Sequence, residues 1–304
     1  MTEVLNWFTD PLQFEFMQRA MLVAVVVGLV CAVLSCWLTL LGWSLMGDAV
    51  SHAVLPGVVL SYVLGAPFAA GAFIFGAGAV AMIGGLNRTS RVKEDAAIGI
   101  VFTGLFALGI VLVSVIPSQI DLFHILFGNV LGVSDSDIRQ VLGLGIPVLI
   151  IAALSWRTLT LYAFDPTHAH AIGISPRMIE TLLLGMLALT VIVALQAVGI
   201  VLVVAMLITP GATAYLLTDR FSHMILIAAA TGVLSTVLGT YLSYHLDAST
   251  GGSIVCVVAL LFLAAYIFSP SQGMLSQFVR RRRAKSSIDD PSRAGRPDPS
   301  LAED

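Results

Sequence analysis

Residues 17–41 read MQRAMLVAVVVGLVCAVLSCWLTLL, about 25 residues carrying one charge, Arg19. A bilayer core of roughly 30 Å is crossed by about 20 apolar residues in a helix, so this stretch alone commits the chain to a membrane. The residues before it include the acidic Glu3, Asp10 and Glu15 rather than a basic leader. It is therefore expected to stay as an anchor and not to be cleaved. The rest of the 304 residues agrees: the apolar set reaches 58% and charged residues 11%, too little charge to coat a water-soluble domain. The 27 glycines show no triplet period, and the three cysteines, Cys31, Cys36 and Cys256, form no CxxC pair, so collagen-like and disulfide-held folds are excluded and the thiols read as packed and free. An all-α polytopic membrane protein remains.

The same test gives eight runs in all: about 17–41, 54–84, 94–115, 138–156, 178–198, 200–218, 223–246 and 251–268. The run 54–84 is too long for one straight span, and its Gly-rich part, Gly71 to Gly85, suggests a bend or an end that leaves the membrane. Asp121 to Val133 is too short to cross and reads as a re-entrant or interfacial helix, with a ninth span as the competing count. Placing the N-terminus inside puts every Lys and Arg except Arg139 on the cytoplasmic side, so the expectation is eight spans with both termini cytoplasmic. Residues 42–53 then form an outer loop. Two units follow: a transmembrane domain over 1–278, and a basic tail over 279–304 whose Arg, Ser, Pro and Asp content reads as disordered. Arg280 to Arg283 read as a topological anchor on anionic lipid, and no nucleic-acid role is expected.

Within this apolar chain, GDAVSHAVLPG at 47–57 carries the chemistry. Asp48 and His52 are four apart, so on a helix a carboxylate and an imidazole share one face, a donor pair suited to a divalent first-row metal. Pro56 lacks an N–H and so leaves the His52 carbonyl without its helical partner. A rival reading makes Asp48 and Ser51 a helix cap and His52 an interfacial residue. Two donors do not fill six coordination positions, which points to a second subunit for the rest. FDPTHAHAIGIS at 164–175 is the next candidate: Asp165 as N-cap and Pro166 at the first position predict a short helix through Thr167, His168, Ala169, His170, Ala171 and Ile172 to Gly173, suited to docking a cytoplasmic partner. His168 and His170 point to different sides, which argues against a metal there. His124, His223 and His245 read as interfacial, and Pro210 as either a hinge or packing. GxxxxGK[ST], HExxH and GxSxG are all missing, so no catalysis is expected in the chain itself.

LLGWSLMGDAVSHAVLPG, LFGNVLGVS (126–134), FDPTHAHAIGIS, VGIVLVVAMLITPGATA (198–214) and SYHLDASTGGSIV (243–255), in this order, resemble the permease subunits of the ABC-3 family, bacterial importers of manganese, zinc and iron. The likeness spans about residues 12–275, and its first two blocks look more like manganese and iron members than zinc members. It implies a permease in the bacterial inner membrane that works with a second permease subunit, identical or a close paralogue. It further implies two cytoplasmic ATPase subunits and an extracytoplasmic metal-binding protein. On this resemblance Asp48 and His52 hold the ion at an outer gate and 165–173 forms the ATPase-coupling helix. No cofactor is held permanently, and the transported metal is expected to be Mn²⁺, with Zn²⁺ or Fe²⁺ as alternatives. A stand-alone ion-coupled carrier is the rival class, disfavoured because the span interiors are nearly free of acidic residues.

Overall fold

The computed structural model describes residues 10–116, 132–269 and 273. After a short 3-10 turn at Pro11–Gln13 come α1 (Glu15–Leu41), α2 (Ser44–Ala53), α3 (Leu55–Leu64), α4 (Phe68–Thr89), α5 (Glu94–Val115) and α6 (Asp135–Phe164). These are followed by α7 (Pro166–Ala171), α8 (Pro176–Val198), α9 (Ile200–Leu217), α10 (Phe221–Leu246) and α11 (Thr250–Phe268). Every regular element among the described residues is helical, because in lipid a helix satisfies its backbone groups within the segment.

Among the described residues nine candidate spans are long and apolar enough to cross a membrane, not eight. The extra one does not come from 121–133, which lies mostly outside the described residues, as does the tail 279–304. It comes from two divisions near α2. Leu41 ends α1 because Gly42 turns left-handed (φ 73°) and Trp43 N–H reaches back to the Leu38 carbonyl at 2.8 Å. The chain therefore re-enters at once as α2, and residues 44–53 are helix rather than an outer loop. α2 and α3 together form one span, Ser44–Leu64, since Val54 between them keeps helical dihedrals (φ −70°, ψ −24°). That span ends at Gly65, again left-handed (φ 65°), with Pro67 opening α4. The division of the long run thus falls at Gly65–Pro67. Gly71 to Gly85 is continuous helix within α4, where Gly57 and Gly71 press backbone to backbone.

Nine spans among the described residues place Glu15 and Phe268 on opposite faces, where eight would have put them on one. Side-chain contacts fix the pairing of ends. Arg19 bridges Asp135 at 3.0 Å, joining the start of α1 to the start of α6. At the far end, Trp37 Nε1 donates to Thr160 Oγ1 at 3.3 Å and its ring meets Phe221 at 5.4 Å. Ser269 Oγ donates to the Leu216 carbonyl, so α11 finishes at that same far end. Arg91, Lys93, Arg157, Arg177 and Arg220 cluster at this end with α7, which makes it the cytoplasmic face. Arg19 joins Arg139 on the outer one. The difference is a single hairpin: the turn at Gly65 reverses the direction of the spans before it.

α1 packs against α6, α9 and α10, and α2 packs against α4, α5, α8 and α9. The first group is held by small residues. A Cβ on Gly28 would lie 2.6 Å from Thr236 Cγ2, one on Gly232 would lie 2.7 Å from Ala32 Cβ, and Gly211 lies on the Ser35 backbone. Such close approach substitutes for the hydrophobic drive that lipid does not supply.

Candidate metal site

Asp48 and His52 lie inside α2, one turn apart, with His52 Nε2 3.2 Å from Asp48 Oδ1. Asp48 is the fifth residue of its helix, whose N-cap is Trp43 with no side-chain hydrogen bond. The capping reading therefore fails. Ser51 is also accounted for, since its hydroxyl donates to the Gly47 carbonyl at 2.7 Å. Nor is the His52 carbonyl left open by Pro56, because the Val54 N–H turns to it.

Depth is the larger surprise. Phe102 and Phe106, midway along α5, flank the imidazole at ring distances of 5.1 and 4.9 Å. Gly47, one residue before Asp48, faces Leu187 and Leu207 near the middles of α8 and α9. The pair sits at mid-depth of the bundle and not at an outer mouth. That correction follows from the reversed α2, which enters from the cytoplasmic face.

The two side chains are part-open, 32% exposed for Asp48 and 20% for His52. A charged group at the bilayer centre costs at least about 2.5–3.5 kcal/mol against lipid. The open side of this pair therefore faces water or another protein. On the imidazole, Nδ1 is buried and has no hydrogen-bond partner among the described residues. A ring nitrogen 3.2 Å from a carboxylate oxygen fits an N/O donor set for Mn²⁺, Fe²⁺ or Zn²⁺. No group of three or more His, Cys, Asp or Glu occurs among the described residues, so one chain contributes two donors at this place.

α7 has the capping geometry expected of it. Asp165 Oδ1 accepts from His168 N–H at 2.8 Å, Pro166 opens the helix, and Gly173 closes the turn with φ 87°. Ala169 is buried against the bundle while Thr167, His168, His170, Ala171 and Ile172 face outward. Exposed Ile172 and Phe164 give this cytoplasmic knob an apolar surface for a partner. At the other face, Asp247 is left-handed (φ 48°) and Ser249 caps α11 through Gly252 N–H, which makes them turn formers. Pro210 is buried within an unbroken α9 beside Gly211, so packing accounts for it. Phe102 and Phe106 were not singled out from sequence, because two phenylalanines four apart in an apolar run look like any lipid-facing pair.

A model of the ABC 3 transport family matches residues 13–269. The chain is 57% identical to the manganese transport system membrane protein MntB of Synechocystis sp., over 94% of this chain and 93% of that one. It is 48% identical to a Haemophilus influenzae protein named as an iron transport system membrane protein, over 87% and 97% of the two chains. Among solved structures, PsaBC from Streptococcus pneumoniae in complex with Fab superposes with a TM-score of 0.82 at 39% identity, covering 92% of this chain and 99% of that one.

Proposed function

The chain belongs to the ABC 3 transport family, and from that premise we propose that it is the permease of an ATP-driven importer of Mn²⁺ in which Asp48 and His52 form a station for the ion at mid-membrane. The reading rests on one observation above all: a carboxylate oxygen and an imidazole nitrogen 3.2 Å apart at mid-depth, both side chains part-open. A second permease subunit packed over this pair would remove Asp48 from lipid and bring its own pair opposite, four protein donors in all, with the remaining positions of a six-coordinate ion left to water or backbone oxygen. Two cytoplasmic ATPases would press on α7, and an extracytoplasmic binding protein would deliver the ion to the face carrying Arg19 and Asp135. The 1–278 unit is the transport body, and the tail 279–304 is an inner-surface anchor.

Asp48→Ala should reduce metal uptake by the complete transporter more than tenfold, the order seen for lost ligands, with membrane insertion and ATPase co-purification unchanged. Normal uptake in that variant would remove the assignment. Fe²⁺ is the second reading, supported by the iron-named relative, and the donor set accepts it equally. Uptake of labelled Mn²⁺ challenged with Fe²⁺ and Zn²⁺ in turn decides among the three.

A further inference from the structure

The Phe102 and Phe106 rings lie 6.0 Å apart and nearly parallel, 12° between planes, and each meets the His52 ring steeply, at 65° and 76°. A histidine needs no such bracket merely to fill space in a membrane bundle. Edge-to-face contacts on two rings fix the rotation of the imidazole about its own axis, with Nε2 toward Asp48 and Nδ1 away from water. Resting on the ion-station reading, we propose that Phe102 and Phe106 are positioning residues that clamp His52 and thereby set which cations the permease accepts.

The chemistry is one of donor composition. Held within 3.2 Å of the carboxylate, the imidazole makes the station a mixed nitrogen–oxygen site. Mn²⁺, Fe²⁺ and Zn²⁺ take such a site, whereas Mg²⁺ and Ca²⁺ prefer oxygen, and Mg²⁺ gives up water reluctantly. An imidazole free to rotate away would leave Asp48 as a bare carboxylate, which does not tell these ions apart. The apolar ring faces also offer no hydrogen bonds to a hydrated ion's water shell.

The test is uptake of labelled Mn²⁺ by cells carrying the complete transporter with Phe102→Leu, Phe106→Leu or both, assayed with and without excess Mg²⁺, each normalised to assembled complex. The KM for Mn²⁺ should rise by about tenfold, as for loss of groups that orient a ligand, with maximal rate changed less than about twofold. Inhibition by Mg²⁺ should strengthen in parallel. Phe106→Tyr, which keeps the flat wall, should restore both. A maximal rate that falls with KM and Mg²⁺ sensitivity unchanged would mark the rings as packing and overturn the clamp. If the leucine variants import as the parent does while Asp48→Ala does not, the clamp fails and the station survives. If Asp48→Ala and His52→Ala import normally, the station itself fails.

Discussion

α10 and α2 both carry polar side chains at mid-membrane, yet they treat them in opposite ways. In α10, Thr231, Ser235, Thr236 and Thr240 are buried and each hydroxyl donates to a carbonyl three or four residues back in its own helix, at 2.7–3.1 Å. Each polar group is answered locally, and its neighbours Gly232 and Gly239 press the helix against α1 and α11. In α2, Ser51 is answered in the same way, but among the described residues Asp48 pairs only with His52, and His52 Nδ1 has no hydrogen-bond partner. A polar residue in a span is therefore silent when its own helix meets its need. It points to function when the need is left for something from outside the chain.

This contrast can be broken most forcefully on the packed side. Gly211→Val places two methyl groups against the Ser35 backbone, where even a single Cβ has no room, and should cost roughly 3 kcal/mol or more. The purified permease should melt well below the parent or not accumulate at all, and a melting temperature within a few degrees would show that α1 and α9 are not locked as described. His52→Ala makes the opposite change. Uptake should fall by about tenfold or more, while thermal stability holds or rises slightly because an unmet buried nitrogen is removed. A large loss of stability would move α2 to the scaffold class and erase the contrast.

How much of this was legible beforehand follows the same division. The helical class, the Asp48–His52 spacing and the Asp165-capped α7 depend on neighbours within four residues, and sequence carries such information directly. The count and direction of spans depended on two left-handed glycines, Gly42 and Gly65. GAP at 65–67, a glycine cap with proline two residues on, was a stop signal overlooked inside an unbroken apolar run. Missing it reversed the first span and moved the metal pair from mid-membrane to an outer loop. The Phe102–Phe106 bracket and the Arg19–Asp135 bridge join residues 50 and 116 positions apart, and no local pattern announces such contacts.

The cytoplasmic knob tests whether transport needs more than the station. Ala171→Pro removes an N–H from the last turn of α7 and disfavours the helical conformation of His170 before it, while Ala169 can still anchor the segment. Uptake should drop several-fold and ATPase co-purification weaken, with the melting temperature close to the parent's. Full uptake with unchanged co-purification would detach α7 from coupling.

Thr240→Val should do least of all. Its hydroxyl donates to the Thr236 carbonyl at 2.7 Å, and that carbonyl also serves the backbone ladder of the helix. Valine keeps the shape, removes the donor and strands no acceptor, so the change should stay under about 1 kcal/mol with uptake intact. A loss larger than that of His52→Ala would mean that local satisfaction is not what makes the α10 hydroxyls silent, and that they do work the geometry assigns to α2.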